Sequence, residues 1–415
     1  ASVDELCKEL LPKDYKIYKA PEHEGKPINV FIQFQVLDIG EIDEGKMDFH
    51  LHVFITSTWN DTRLKLDSYK GKLNATVVYE PCRMYMWTPD IFFETAKRVE
   101  TFEPTSPSTA VKVFPDGALV ISTRYSFTAA CNMDLQNYPF DTQKCSFLVS
   151  LMSSSDSVAV LRWIGDSISP YKKDSITMMR EVHPLQFSLN TPTTYSVTEE
   201  FADGNYTTLI AEFTLVRLLT GSIMNTYAPS TMIVTMSWVS FWLKVDAVPA
   251  RVALSITSLL TLCTQVQQYK AQLPPVSYIK AMDIWLFMCI IMVFSTLLEF
   301  AVSYNIHTKK CQKCSNTHTK TSSSDTEEED KDDRPKTITN TWVAKDKTEK
   351  ITYVNSANTV FTSQTVQNKE CTECLNNRLL GHKIDVFCRK LFPGLFLLFA
   401  IIYWIYYLTI YNSNS

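Results

Sequence analysis

Residues 249–268 read PARVALSITSLLTLCTQVQQ, an apolar helix that carries one polar stripe. Residues at steps of three and four share one helical face. The stripe on this face consists of Ala253, Thr257, Leu260, Thr264, Gln267 and Ala271. Lipid cannot satisfy hydroxyl and amide groups, so we expect the stripe to face water, and several copies around an axis would line a pore. The alternative is a buried helix whose Ser and Thr side chains bond to their own backbone.

The opposite face of this helix is more apolar. It comprises Val252, Leu254, Ile256, Leu259, Leu262 and Cys263, and is predicted to pack against protein or lipid. Leu260 interrupts the polar stripe, and a ring of such leucines would expel water from a narrow tube and close it. The alternative, a leucine packed between helices, conflicts with its position between Thr257 and Thr264.

Three more apolar segments, 222–243, 281–298 and 391–411, are each about long enough to cross a bilayer core. Residues 1–217 contain no such segment, and the composition of the whole chain, eighteen prolines with only ten glycines, favours a strand-rich domain there. The predicted fold class is therefore α+β by domain, with an all-β sandwich followed by a four-helix transmembrane bundle. The predicted domains are 1–217 (sandwich), 218–305 (first three spans), 306–389 (largely disordered, with a helix before the fourth span) and 390–415 (fourth span and short tail).

Sequons and basic residues predict the orientation in the membrane. N-x-Ser/Thr sequons occur at Asn60, Asn74 and Asn205, all before the first span. Basic residues follow the third span and precede the fourth, at 309–310 and 389–390, which favours a cytoplasmic 306–389 segment. Both chain ends are then extracellular, and a multi-pass plasma-membrane protein is expected.

The cysteines divide along the same boundary. Cys7, Cys82, Cys131 and Cys145 precede the first span, where oxidation is expected, and a bridge between Cys7 and Cys82 is one possibility. The C-x-x-C pairs Cys311/Cys314 and Cys371/Cys374 would be reduced. They form a weak candidate for a four-thiolate zinc site, for which palmitoylation near the membrane is a competing interpretation.

The segment between Cys131 and Cys145, NMDLQNYPFDTQK, resembles the signature loop of the Cys-loop receptors, the pentameric ligand-gated ion channels. WND at 59–61, WTPD at 87–90, PARV at 249–252 and SYIKAMDIW at 277–285 also match. The chain is most similar to the glycine- and GABA-type anion-channel branch, as an invertebrate-type orphan member. The resemblance implies an immunoglobulin-like sandwich with an N-terminal helix, a Cys131–Cys145 disulfide, a ring of five subunits, most simply identical, and a postsynaptic location.

The resemblance also places an agonist site between subunits. Its matching positions are Phe54, Thr56, Phe92, Arg124, Met152, Phe201 and Tyr206. Met152 stands where relatives have an aromatic residue, and Thr56 where glycine- and GABA-type sites have an arginine; Arg124 is a candidate substitute. A carboxylate needs a guanidinium, and an ammonium needs an aromatic face or a carboxylate. The predicted pocket keeps some aromatic rings but has lost the arginine that binds the acid group, so neither glycine nor GABA is expected as the agonist. A different amine, a neutral or amphipathic compound, and protons stay open.

Alternation along 47–59 predicts a strand of this sandwich. Phe49, Leu51, Val53 and Ile55 would form its core face, opposite His50, His52 and Phe54. Phe54 on the polar face suggests an interface or ligand contact, although a lone exposed ring is ordinary. His50 and His52 are more simply solvated residues than metal ligands.

Ion selectivity is predicted from Pro249, Ala250 and Arg251 at the start of the pore helix. Five copies of Arg251 would make a positive ring that favours anions, chloride above all, and the helix N-terminus adds positive potential. Cation-selective relatives place glutamate where this chain has Ala250. The alternative is that Arg251 reaches lipid phosphates.

The resemblance implies how ligand binding reaches the pore. Tyr138, Pro139 and Phe140 would press on the 272–276 link, which contains Pro274, and Asp141 would pair with Arg217.

The predicted function is a ligand-gated anion channel with membrane lipid, four further subunits and a small-molecule agonist as partners. The alternative is an accessory subunit that binds or conducts only in a mixed assembly, or a channel with altered selectivity. No nucleophile–base grouping or P-loop indicates an enzyme, and neither a cofactor nor nucleic acid is expected.

Overall fold

The computed structural model describes residues 11–22, 25–65, 76–78, 80–101, 108–114, 116–180, 184–244, 247–319, 353–354, 360–361 and 372–414. The chain forms two compact units. The first comprises Ala1–Thr231, Leu262–Cys289 and Phe399–Ser415, and the second comprises Met232–Thr261 and Ile290–Leu398. Residues 1–10 lie outside the described residues and 11–22 form turns and irregular segments, so the N-terminal helix stays a prediction.

The β-sandwich is built from thirteen strands of the described residues. They are β1 Ile28–Asp43, β2 Asp48–Asn60, β3 Thr76–Val78, β4 Ile91–Phe93, β5 Ala96–Thr101, β6 Thr109–Val113, β7 Ala118–Ala130, β8 Thr142–Leu151, β9 Ala159–Trp163, β10 Ile176–Met178, β11 Phe187–Leu189, β12 Thr193–Phe201 and β13 Gly204–Arg217. A 3₁₀ turn, Glu80–Tyr85, precedes β4. One sheet has the order β10-β1-β2-β7-β6-β3, with β5 on β7 and β9 on β1; the other has the order β11-β13-β8-β4, with β12 on β13.

The predicted core face of β2 is confirmed. Phe49, Leu51, Val53 and Ile55 are all buried, as alternation along a half-buried strand requires. Aromatic rings join the two sheets: Phe127 of β7 lies 4.8 Å from Phe147 of β8, centroid to centroid. Burial of such rings is the main source of stability in a sandwich core.

Cys131 and Cys145 form a disulfide that closes the β7–β8 connection. Cys82 is also disulfide-bonded, and Cys7, its suggested partner, lies outside the described residues. Among the described side chains the free cysteines are Cys263, Cys289 and Cys388.

Four helical regions, M1–M4, follow the sandwich. M1 runs through Leu219–Ser222, a π turn at Ile223–Tyr227, Ala228–Trp238 and a 3₁₀ turn at Val239–Trp242. M2 is Val248–Gln272, M3 is Ala281–Thr319 and M4 is Thr372–Asn414. The π turn of M1 lies just before Pro229, which has no N–H to donate to the preceding turn.

M3 and M4 each contain a segment long and apolar enough to cross a membrane, Ala281–Ile306 and His382–Ser413. M1 is divided into short pieces and M2 carries polar residues, so neither contributes a third such segment among the described residues. M3 continues to Thr319, past the boundary expected at 305, and M4 begins at Thr372. A short pair of strands, β14 Tyr353–Val354 and β15 Val360–Phe361, lies between them.

The longer helices change the setting of the two C-x-x-C pairs. Cys311 and Cys314 belong to the last turns of M3, and Cys374 belongs to the first turn of M4, whereas all were expected in the segment that connects the two spans. Cys371 lies outside the described residues, and so do the side chains of Cys311, Cys314 and Cys374. The structure therefore does not test the suggested zinc site at these four cysteines, which stays a prediction.

Candidate functional site

The predicted polar stripe of M2 lies on an exposed face of the helix. Ala253, Thr257, Leu260, Thr264, Gln267 and Ala271 are all exposed, and so are Pro249 and Ala250. Leu260 is 63% exposed, although a leucine is ordinarily buried in a core. The Thr257 hydroxyl donates to the carbonyl of Ala253 at 2.8 Å, so an exposed stripe and backbone-bonded hydroxyls coexist.

The buried face of M2 differs from the predicted apolar face. Ile256 and Cys263 are exposed, whereas Ser255 and Ser258 are buried. Leu262 is fully buried, as expected. Small serines let a neighbouring helix approach closely, which is a packing mode of membrane helices that a scale of hydrophobicity does not detect.

Arg251 does not lie on the exposed stripe, so the prediction that it lines the pore is wrong for this subunit. Its side chain is 0% exposed and forms a salt bridge of 2.7 Å with Asp385 of M4. Its Nε–H also donates to the Leu243 carbonyl at 3.1 Å. An arginine is buried only when its charge and donors are paired, and here both are.

Arg217, the last residue of β13, is the centre of a second ion-pair cluster. Its Nε–H donates to Oδ1 of Asp141 at 2.7 Å, and both side chains are 3% exposed. Its Nη1–H donates to Glu44 at 2.5 Å. Burial opposes the charge of Arg217, but the carboxylates of Asp141 and Glu44 outweigh it and raise the pKa of Arg217 above its usual value. The structure thus brings the two predicted partners together and adds Glu44, which the sequence did not single out.

The Cys131–Cys145 loop meets the adjoining ends of the helices. The Tyr138 ring lies 6.0 Å from the Tyr269 ring of M2 and 4.5 Å from the Arg217 guanidinium. The backbone N–H of Met282, at the start of M3, donates to the Tyr138 carbonyl at 3.1 Å. Pro139 is buried and Pro274 partly so.

Phe140 contacts M1 and M4 rather than the 272–276 link on which it was expected to press. Its ring is fully buried and stacks on Tyr407 at 5.4 Å. It also lies 5.5 Å from Trp404 and 6.4 Å from Tyr227. The 272–276 link is approached instead by the β1–β2 turn: a Cβ on Gly45 would lie 3.6 Å from the carbonyl oxygen of Gln272.

Three of the predicted ligand residues lie on the five-stranded sheet. Phe201 and Tyr206 flank the β12–β13 turn, with their rings edge to face at 5.5 Å. Phe201 and Phe92 of β4 are exposed, and Tyr206 is half-buried. The Tyr206 hydroxyl donates to Asp203 at 2.8 Å, a bond that raises the pKa of Tyr206. Met152, which follows β8, is 73% exposed.

Phe54 and Arg124 lie on the other sheet, opposite each other on β2 and β7. They line a cavity of about 450 Å³ together with Leu37, Asp38, His52 and Arg180. Thr56 does not share this cavity, because it is buried and donates to the Ser122 hydroxyl at 2.9 Å. Its inclusion among the ligand contacts is therefore not supported, and Arg180, just after β10, is a candidate that the sequence did not indicate.

The remaining predicted sites are those for glycosylation and for a metal ion. Asn60 and Asn205 are exposed, as glycosylation requires, and Asn74 lies outside the described residues. Nδ1 of His50 lies 3.3 Å from the Thr128 hydroxyl. No group of three or more potential metal ligands occurs among the described residues.

Two family profiles match this arrangement of a sandwich and a helical region. The neurotransmitter-gated ion-channel ligand binding domain matches residues 3–219, and the neurotransmitter-gated ion-channel transmembrane region matches residues 226–322. The chain belongs to the neurotransmitter-gated ion-channel family. A similar protein is the "Glycine receptor subunit beta-type 4" of Caenorhabditis elegans, 30% identical over 420 residues, which cover 93% of this chain and 85% of the relative.

Members of the neurotransmitter-gated ion-channel family are membrane-spanning channels that assemble as pentamers, and they are not enzymes. The resemblance to Cys-loop receptors is thereby confirmed. The two groups of predicted ligand residues lie on different sheets of one chain. In a ring, one subunit would contribute the Phe201–Tyr206 side and its neighbour the Phe54–Arg124 side.

Proposed function

We propose that this chain forms a ligand-gated chloride channel in the plasma membrane, most simply as five identical subunits, with the sandwich and the C-terminus outside the cell. The observation that carries the proposal is the exposed stripe of M2 with Leu260 at its centre. Leu260 lies on this exposed face between Thr257 and Thr264, whose hydroxyl groups suit contact with water better than contact with lipid. Five copies around an axis supply a polar tube with one apolar constriction, which closes by excluding water.

Selectivity for anions is supported by the charges that M2 exposes. Residues 247–272 include no Asp or Glu, and the exposed start of the helix at Pro249 and Ala250 carries the positive end of the helix dipole. Lys270 is exposed near the other end. Because Arg251 is buried, these features support the proposal in place of the expected ring of guanidinium groups.

The agonist that suits the two ligand faces has both an amine and an acidic group. Arg124 and Arg180 line the cavity beside Phe54, and a guanidinium is the preferred partner of a carboxylate. On the opposite face, Phe201 and Tyr206 offer aromatic faces to an ammonium, next to Asp203. A small amino acid fits this pattern, and the glycine receptor subunit named among the relatives is consistent with it.

Coupling between ligand and pore would run through the Cys131–Cys145 loop. Tyr138 connects the Arg217 cluster to M2 and M3, and Phe140 connects it to M1 and M4. A displacement of the sandwich strands therefore reaches the helices through buried contacts, which transmit strain because they are closely packed.

A mixed assembly is the second candidate, and Met152 favours it. Relatives place an aromatic residue at the matching position, and an exposed methionine there weakens an amine site made from this chain alone. In that case a partner chain would supply the complete ligand face, and this chain would contribute the pore.

The test of the proposed function is the current through this chain expressed alone with Leu260→Thr. A hydroxyl in the constriction lets water in, so a current without agonist is expected, with a reversal potential that follows chloride. Thr261→Ser, a conservative change one residue along the helix, is the control and should leave the pore closed. A current that follows sodium would contradict anion selectivity, and surface pentamers without any current would favour the mixed assembly.

A further inference from the structure

Arg251 and Asp385 form the most completely paired buried charge cluster among the described residues of the second unit. Nη2 of Arg251 donates to Oδ2 of Asp385 at 2.7 Å and Nη1 donates to Oδ1 at 3.3 Å, so the two planar groups face each other edge to edge. The exposed fractions of the two side chains are 0% and 3%. This two-bond geometry is the strongest form of the arginine–carboxylate pair.

Groups from two other helices complete the surroundings of Arg251. The Leu243 carbonyl, at the end of M1, accepts hydrogen bonds from both Nε and Nη2. The Phe300 ring of M3 lies 5.9 Å from the guanidinium. Glu299 of M3 is partly buried and interacts electrostatically with both Asp385 and Arg251. The start of M2 is therefore tied to M1, M3 and M4 through one side chain.

We propose that Asp385 of M4 is a positioning residue for the pore entrance. Its carboxylate holds the Arg251 side chain inside the subunit and neutralises its charge, so that Ala250 and Ala253 face the ion path instead. The orientation of M2 then depends on M4, and ion selectivity does not depend on the free charge of Arg251. This inference rests on the proposed channel function and assigns a role to M4, whose other faces are largely exposed.

Physical reasoning favours positioning over a free positive ring. Removing an arginine from a two-bond buried pair would leave Asp385 as an uncompensated charge, which is among the costliest changes in a protein interior. A guanidinium that swings into the pore would also give up both bonds to the Leu243 carbonyl. The energetic gain of exposure to water is thus opposed by the loss of every one of these interactions.

The experiment exchanges the two charges in the Leu260→Thr background, so that current does not require the agonist. Arg251→Asp and Asp385→Arg alone are each expected to abolish current or surface pentamers. The exchanged chain, R251D/D385R, is expected to recover a current that still follows chloride. A recovered current that follows sodium would overturn the proposal, because it would put the charge at position 251 in the ion path.

A second measurement covers the case in which the exchanged chain does not assemble. Thermal stability of detergent-purified pentamers is compared for Arg251→Gln, Asp385→Asn and the double variant, with the exposed Lys383→Gln on M4 as the control. We expect the losses of thermal stability in the two single variants not to add up. The double variant should be no less stable than the less stable of the two single variants. Additive losses would overturn the pair.

The two hypotheses fail in different ways. If the Leu260→Thr chain itself passes sodium, the proposed anion selectivity fails. The positioning role is still decided by non-additivity in the stability series, which does not depend on which ion the pore carries.

Discussion

Tyr403 of M4 has a buried hydroxyl that connects three helices. It lies 2.7 Å from the Tyr227 hydroxyl of M1 and donates to the Ala281 carbonyl of M3 at 3.1 Å. The side chain is 4% exposed, whereas Tyr406, further along the same helix, is 59% exposed. The same residue type on one helix thus occupies two contrasting environments.

Tyr403→Phe tests the value of that hydroxyl. The change keeps the ring and leaves the Tyr227 hydroxyl and the Ala281 carbonyl with one partner fewer, at a cost of roughly 0.5–2 kcal/mol. We expect a lower melting temperature of purified pentamers. Tyr406→Phe is the matched control and should leave the melting temperature unchanged; equal effects of the two changes would contradict the assignment.

Residue-scale prediction from sequence succeeded where the resemblance to the Cys-loop receptors supplied the pairing. The resemblance implied that Asp141 and Arg217 pair, and they do; a buried arginine needs such a carboxylate. Arg251 was expected to line the pore because Ala250, rather than a glutamate, stands beside it at the start of the helix. Its true partner, Asp385, is 134 residues away, and only folding brings a pair of that separation together.

At the scale of one element, M2 is defined by which face it exposes. The stripe from Ala253 to Ala271 is exposed, whereas Ser255 and Ser258 are buried on the opposite side. Both faces carry hydroxyl groups, so polarity alone does not distinguish the exposed face from the buried one. The two faces are distinguished by the helical period together with the buried charge of Arg251.

Substituted cysteines test this face assignment in a Cys263→Ala background, since Cys263 is exposed. Thr257→Cys and Thr264→Cys are expected to react rapidly with a charged, water-soluble thiol reagent, and the reaction should block current. Ser258→Cys, one residue from Thr257, is the control and should react at least about tenfold more slowly, because reaction requires an accessible thiolate. Similar rates at 257 and 258 would show that M2 presents a different face to the pore.

The ends of M3 and M4 differ from the ends that hydropathy alone predicts. M3 continues to Thr319 and M4 begins at Thr372, both beyond the apolar segments from which the spans were predicted. Hydropathy detects the part of a helix that lipid or core requires to be apolar. A polar continuation of the same helix carries no such requirement. The extension of M3 to Thr319 was therefore not predicted, whereas the helix expected before the fourth span is continuous with that span.

For the whole molecule, the two predicted ligand faces lie on different sheets of each subunit. Phe54 and Arg124 belong to the sheet containing β2 and β7, and Phe201 and Tyr206 to the sheet containing β12 and β13. The proposed site would therefore require two copies of the chain. This geometry agrees with the pentameric assembly of the family.

Complementation between two inactive variants tests a shared site. Phe54→Ala and Tyr206→Ala are each expected to abolish agonist-evoked current when expressed alone. Coexpression should restore part of the current, because mixed rings contain interfaces with both faces intact. Coexpression of two variants on the same face, Phe201→Ala with Tyr206→Ala, is the control and should restore nothing. Absence of rescue in the first combination would place the site within one subunit.

By itself, the sequence determined the fold class, the family, the polar stripe of M2 and the Cys131–Cys145 loop. Each of these depends on local periodicity or on residues close together in the chain, and such patterns survive without knowledge of the packing. The tertiary structure alone decided that Arg251 turns inward to Asp385, that Phe140 packs against M4, and that Arg180 joins Arg124 beside Phe54. Each of these contacts joins residues that are far apart in the chain. It forms because pairing a buried charge or filling a buried space lowers the free energy of the folded protein, and sequence spacing does not show which distant groups will meet.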